Sequence, residues 1–174
     1  MITLLMHQRN SSSADRDIGL SAKRVERILF SDIDINDPFF DSFKIDYCDF
    51  EHWFSRKSRD GSFAFVANGE CGIEGFIYVK EELHDYGEVS PALPPSRKLK
   101  IGSLKLKSSG RRLGCKFVKS ILGYAKSIGC ESVYFTIFDK YAYVIDLFQQ
   151  FGFKYHGIKQ SENGKEEVYL LEEV

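Results

Sequence analysis

The sequence predicts a mixed α/β domain with a mostly antiparallel central sheet and flanking helices. Alternating apolar runs flank Asn68-Gly69, and two more flank the polar tip at residues 161–165; both patterns are those of β-hairpins. Between the hairpins, Leu113, Phe117, Val118, Ile121, Leu122, Ala125 and Ile128 recur at spacings of three and four, the stripe of a core-facing helix. That helix joins strand-like runs at residues 99–106 and 133–137, and such a crossover makes them parallel neighbours. With 174 residues, 43% of them hydrophobic and 28% charged, one globular domain is expected rather than a disordered chain.

Taken in order, residues 1–23 include Ser11-Ser12-Ser13 and show no apolar period, so they read as a loop or mobile segment preceding a domain over residues 24–174. Ile28, Phe30 and Ile33 suggest a first strand within residues 24–33. Asp37-Pro38 is a helix start, with Asp as N-cap and Pro in the first turn, followed by Phe39, Phe40, Phe43 and Tyr47. Asp49 is expected to cap a second short helix carrying Phe50, Trp53 and Phe54, which ends at Asp60-Gly61. A strand through Phe63, Phe65 and Ala67 turns at Asn68-Gly69 and returns through Ile73, Gly75, Ile77 and Val79. Residues 81–95, first acidic and then Pro-rich, read as a loop.

The run from Lys98 to Lys107 carries a break in parity. Leu99 and Ile101 are odd-numbered, whereas Leu104 and Leu106 are even-numbered, so a regular strand would send the two pairs to opposite faces. One extra residue at Gly102-Ser103 restores a common face, which is a β-bulge. After the long helix, Gly129 is a natural stop. Val133, Phe135 and Ile137 mark the next strand; Val144, Ile145, Leu147, Phe148 and Phe151 mark a helix stopped by Gly152; residues 153–159 and 166–171 form the last two strands.

The charges nearly cancel, with 24 Lys or Arg against 25 Asp or Glu, but they are unevenly placed. Seven acids and one base occupy residues 32–51, whereas residues 89–130 contain no acid and ten Lys or Arg. That field attracts anions such as phosphates, nucleic acid or an anionic cofactor, unless it is simply a solvated face. Cys48, Cys71, Cys115 and Cys130 lack metal-ligand spacing and the histidines do not join them, so neither a metal site nor a disulfide framework is expected. No apolar run reaches the ~18–20 residues of a membrane-crossing helix, and Met1 to Met6 is too short for a signal peptide. A cytoplasmic protein is expected.

Between the bulged strand and the long helix lies Ser108-Ser109-Gly110-Arg111-Arg112-Leu113-Gly114. A strand, a Gly-containing loop and a helix start make an anion site, because the first helical N–H groups lack internal partners and the dipole is positive there. Arg111, Arg112 and Lys116 add charge, and a pyrophosphate is the natural ligand class. The loop matches neither the P-loop nor the dinucleotide fingerprint.

Residues 97–157 resemble the conserved motifs of the GNAT superfamily of N-acetyltransferases. The loop is similar to that family's Gln/Arg-x-x-Gly-x-Gly/Ala acyl-CoA loop, and Leu147-Phe148-Gln149-Gln150-Phe151-Gly152-Phe153 is similar to its Leu-Tyr-x-x-x-Gly-Phe segment. The upstream element order extends the resemblance to nearly the whole chain. It implies a splayed strand pair at the bulge and transfer of acetyl from acetyl-CoA, or another acyl-CoA, to an amine by direct attack on the thioester. It assigns Ser109, Gly110, Arg111, Arg112, Leu113, Gly114 and Cys115 to the pyrophosphate, and Leu104, Lys105 and Leu106 to the acyl arm. The acceptor would be a small-molecule amine, a protein amine or an RNA-linked amine.

Some positions depart from the pattern. Ser109 and Arg112 replace motif residues, Tyr141 replaces the usual helix-starting Asn, and Phe148 replaces the tyrosine general acid. Tyr143, Tyr141 and Asp139 are the candidate catalytic residues, each with a plainer reading as an exposed aromatic or a helix cap. His156 reads as structural rather than as a base. The acceptor is expected between the corner at residues 139–143 and the acids Glu81, Glu82, Asp85 and Glu88, which would attract a protonated amine. Two other classes remain open: an RNA-directed protein, of the tRNA-acetylating toxin kind or a binder, and a catalytically silent acyl-CoA sensor. No membrane partner is expected, and a homodimer is among the open oligomeric states.

Overall fold

A computed structural model describes residues 24–83, 88–107, 110–161 and 164–174. The expectations for the N-terminal segment, for Asp85 and for Ser109 lie outside the described residues. The strands are β1 (Val25–Leu29), β2 (Phe63–Gly69), β3 (Gly72–Glu82), β4 (Val89–Ser90), β5 (Lys98–Leu106), β6 (Ser132–Ile137), β7 (Lys154–Ser161) and β8 (Gly164–Glu172). The helices are α1 (Asp41–Asp46), α2 (Phe50–Arg59), α3 (Gly110–Ser127) and α4 (Ala142–Gln149). They build one eight-stranded sheet in the order β1-β2-β3-β5-β6-β8-β7-β4. β5 and β6, joined by α3, pair in parallel; the other neighbouring strands are antiparallel.

The parity break is realised as a bulge. Val79 pairs with Ile101 but Tyr78 with Ser103, so Gly102 is the extra residue. Leu99, Ile101, Leu104 and Leu106 therefore all reach one core, shared with Leu113, Phe117, Val118 and Ile121 of α3 and Val144, Leu147 and Phe148 of α4. Residues of this kind are worth ~2–5 kcal/mol each on truncation to Ala. On the opposite face two separate clusters cover the sheet. One gathers Phe30, Phe40, Phe43, Phe50 and Phe54 over Phe76 and Tyr78. The other packs Val89 and Leu93 on Tyr134, Val168 and Leu170. In the aromatic cluster Phe43 stacks on Phe50 at 5.1 Å, and Phe30 meets Phe54 edge-on at 4.9 Å. Aromatic pairs of this kind add ~0.5–1.5 kcal/mol beyond the area they bury.

The structure moves several boundaries. β1 ends at Leu29, because Phe30–Asp32 forms a 3-10 turn that carries Phe30 into the aromatic cluster. Asp37 caps a 3-10 turn at Pro38–Phe40 rather than α1 directly, accepting the Phe39 N–H at 2.8 Å. Its other oxygen accepts from Ile73 N–H at 3.0 Å. The hairpin tip lies two residues beyond Asn68-Gly69: Gly69 pairs with Gly72, whose φ of +101° suits glycine, around Glu70-Cys71. The expected loop over residues 81–95 contains structure at its start and middle. Glu81 and Glu82 extend β3, and β4 pairs with Lys159 and Ile158 of β7. No helix among the described residues is long and apolar enough to cross a membrane.

Candidate functional site

The sheet opens along one seam. β5 and β6 pair only from Lys98↔Ser132 to Ile101↔Phe135. Beyond that point β5 continues to Leu106 against β3 alone, and β6 continues to Ile137 against β8 alone. The bulge at Gly102 stands where the pairing stops. The result is a wedge whose open end faces the start of α3, since only three residues separate Leu106 from Gly110.

At that mouth α3 has no acid in its first turn, and Arg111 and Arg112 are exposed. Arg111 Nε donates to Gln150 Oε1 at 3.1 Å, tying the start of α3 to the end of α4. Leu113 is buried in the core and Cys115 is half-buried against it. Gly114 meets α4: a Cβ there would stand 2.6 Å from Leu147 Cδ2. The absence of a side chain at Gly114 thus already has a packing cause, independent of any ligand. Leu104 and Leu106 present their side chains to the α3 core, while Lys105 points to the other face.

That other face is a polar trough between the two apolar clusters, floored by Lys98, Lys100, Ser103 and Lys105 of β5. Lys98, 1% exposed, donates to the carbonyls of Pro94 and Ser96 at 2.6 and 2.9 Å. Lys105 donates to the Phe39 carbonyl and to Ser42 Oγ at 2.6 Å, with its ammonium 4.6 Å from the centre of the Phe39 ring. Burial holds the Lys105 ammonium below the usual lysine range, helped by the neighbouring charge of Lys107. Glu82 is buried and accepts from Tyr134 Oη, and Lys80 Nζ sits 3.2 Å from its other oxygen. Lys159, 2% exposed, pairs with Glu88, and that bond holds the Glu88 carboxyl below its ordinary value. Lys100 is half-buried, its ammonium 5.4 Å from the centre of the Tyr134 ring, and burial lowers its pKa.

The catalytic candidates stand at the far edge of the wedge. Asp139–Tyr141 forms a 3-10 turn just after β6. Asp139 is exposed and does not cap α4, whose N-cap position is Tyr141 without a side-chain bond. Tyr141 is half-buried with the Lys140 ammonium 5.1 Å from its ring centre, and Tyr143 is 44% exposed. Phe148 is 1% exposed, wedged between Phe135 and Phe153 at 4.6 and 5.1 Å. His156 Nε2 lies 3.0 and 3.2 Å from the carbonyls of Pro91 and Ala92, a structural role.

The expected acidic acceptor loop is not one patch. Glu81 turns to the α3 side, where Arg97 bonds it at 2.7 Å, while Glu82 turns into the trough. Alternation along β3 separates them. The basic run is also divided: Arg97 is spent on Glu81, Lys98 and Lys105 are buried, and Arg111 and Arg112 stand at the α3 start. No group of three metal-ligating side chains occurs among the described residues. The trough went unread in the sequence. Its signal was present in the same parity break, which places Lys98 and Lys100 with Ser103 and Lys105, but Glu82 and Tyr134 join them only through strand order.

No family model matches the sequence, and no curated protein matches it. Solved structures do. The N-acetyltransferase PseH of Campylobacter jejuni, in complex with acetyl coenzyme A, is similar over 86% of this chain and 99% of its own, with a TM-score of 0.58 and 16% identity. The IAA acetyltransferase of Bacillus cereus is similar over 85% and 97%, with a TM-score of 0.59 and 15% identity. A chain of the NatC complex bound to Gag peptide and CoA is similar over 87% and 99%, with a TM-score of 0.58 and 15% identity.

Proposed function

We propose that this chain, which has the fold of the GNAT acetyltransferases, is an acyl-CoA-dependent N-acyltransferase that moves acetyl from acetyl-CoA to an amine. The observation that carries the reading is the wedge: a sheet split at a bulge, with an acid-free helix start at its mouth. The residues fit the cofactor. Gly110 to Cys115 would offer the first N–H groups of α3 and the charges of Arg111 and Arg112 to a pyrophosphate. Leu104, Lys105 and Leu106 would offer backbone groups to an acyl arm, because no strand pairs with them on the β6 side. When bound, acetyl-CoA supplies an activated thioester.

The chain's own contribution is positioning and polarity. Backbone N–H groups of β5 beyond Ile101 that face the wedge are fixed dipoles, able to stabilise negative charge on a carbonyl oxygen without reorganising. The core of α3 and α4 keeps water from one side of that position. Phe148 has no proton to give. Tyr141, Tyr143 and Asp139 follow β6 at the wedge's open edge, with Lys140 among them, and an amine with a low pKa needs no base.

Calorimetry with acetyl-CoA tests the reading. Binding is expected, weakened about tenfold or more by joint substitution of Arg111 and Arg112 with Glu, since charge-assisted contacts to phosphate are lost. No binding to the folded protein removes it. A second reading, a silent acyl-CoA sensor, is favoured by the buried ring of Phe148; it expects binding without turnover on any amine panel. An RNA-directed protein expects salt-sensitive RNA binding that survives loss of acetyl-CoA binding.

A further inference from the structure

We propose that Lys100 receives an anionic group of the acceptor, so that the amine acylated here belongs to a molecule bearing a carboxylate or phosphate near its nitrogen. This rests on the acyltransferase reading and concerns the acceptor half of the same wedge. A donor entering past the α3 start, whose helix covers one face of the sheet, would run along the β6-facing edge of β5. The second substrate then reaches the wedge from the opposite face. Lys100 emerges on that face one residue before Ile101, where the β5–β6 pairing ends.

The charges around it explain why an anion is wanted. Glu82 already accepts from Tyr134 and pairs with Lys80. Glu88 is held by Lys159, and Glu166 lies beyond them, opposite Lys159 in the register. Lys98 and Lys105 have carbonyl or hydroxyl acceptors. Lys100 makes no hydrogen bond or ion pair among the described residues; its ammonium lies over the Tyr134 ring, and the charges of Glu82 and Glu88, each already bonded to another group, act on it only through space. Past the bulge on the same face, Ser103 Oγ is 1% exposed and has no hydrogen-bond partner either. A partly desolvated ammonium and a buried hydroxyl without an acceptor are both costs that an incoming anion removes. Desolvation lowers the pKa of Lys100, and a bound anion would reverse that shift.

The alternative chemistry for a lysine so placed is proton abstraction from the amine, and Arg separates the two roles. Arg keeps the charge and does not lose its proton. Three short primary amines, ethanolamine, β-alanine and phosphoethanolamine, are titrated by NMR and calorimetry into wild type, Lys100→Met and Lys100→Arg, without acetyl-CoA. Expected is a preference of about tenfold or more for the two anionic amines over ethanolamine, lost in Lys100→Met and largely kept in Lys100→Arg. Equal or undetectable binding of all three probes overturns the proposal, as does a preference that survives Lys100→Met; the latter points to the α3 start as the anion site. With acetyl-CoA added, a Lys100→Arg enzyme that loses kcat at unchanged KM overturns it in favour of a base. Anion preference without acetyl-CoA binding would leave the Lys100 site standing and remove the acyltransferase reading; the reverse result would do the opposite.

Discussion

Gly114→Ala tests how α3 meets α4. The added Cβ would stand 2.6 Å from Leu147 Cδ2, with Leu147 Cδ1 at 3.5 Å and Leu106 Cδ1 at 3.6 Å. Carbon atoms ordinarily settle at ~3.5–4.0 Å, so one partner must retreat by about 1 Å. Leu147 is 2% exposed and has no solvent to rotate into. Overpacking of this kind costs ~1–3 kcal/mol, against a helix-propensity gain of ~1 kcal/mol for Ala over Gly. Gly123, on the same helix with nothing within 4 Å of its Cβ, isolates the propensity gain. In urea denaturation Gly123→Ala should stabilise by up to about 1 kcal/mol, and Gly114→Ala should lie ~1–3 kcal/mol below it at unchanged m. In a Leu147→Ala background the clash partner is gone, so Gly114→Ala should cease to cost anything. Acetyl-CoA calorimetry on the same samples separates packing from ligand approach. Equal stabilities of the two single variants, or a cost that persists with Leu147→Ala, would refute the packing account.

Tyr134→Phe removes a donor from buried Glu82 and should cost ~1–3 kcal/mol by urea denaturation. At Gly157 a Cβ would stand 2.3 Å from the Ser90 carbonyl oxygen, so Gly157→Ala should push β4 off β7, read as faster amide exchange at Val89 and Ser90 with the exchange of β6 and β8 unchanged. Because burial holds Lys100 below the ordinary 10.5, the unfolded chain binds that proton more tightly, so stability should rise with pH from the lowered folded value upward. Lys100→Met should raise stability at neutral pH and remove part of that rise, the rest belonging to Lys105. Cys130, raised by burial above its ordinary 9.0, and Tyr169, pushed up to about 12 by burial and its bond to Glu167, act in the opposite direction, so the measurement belongs below pH 9.

The architecture was readable where period and backbone chemistry agree. The stripe from Leu113 to Ala125 faces the core in α3, and the parity break at Gly102 is a bulge. What failed was local. Asn68-Gly69 is a strong turn signal, but Asp37, distant in sequence, accepts the Ile73 N–H and helps set the tip at Glu70-Cys71. β4 escaped notice because two residues between acids and prolines carry no period. For the site, the loop at the α3 start was legible as chemistry, with Ser109 outside the described residues. The trough was not, because Lys100, Glu82 and Tyr134 come from three strands whose adjacency no local pattern encodes. Glu81 and Glu82 part for the same reason: a list of charges does not say which face each one takes.

Four parallel residue pairs join the two antiparallel pieces of the sheet, over a core that both pieces share, and the connection between them is a whole helix. On the amino-terminal side β2 and β3 carry their own aromatic cluster, and on the carboxy-terminal side β7 and β8 close as a hairpin against β6. Pairings that require such a long closure are entropically late in folding, so the two pieces gain structure before they dock. Docking is the step that creates the wedge. A ligand of the wedge therefore favours only the fully docked chain, and at a hundredfold excess over its Kd it should add ~2.7 kcal/mol to that state alone. Slowed unfolding with an unchanged refolding rate would be the kinetic trace of a cleft that does not exist until the final docking.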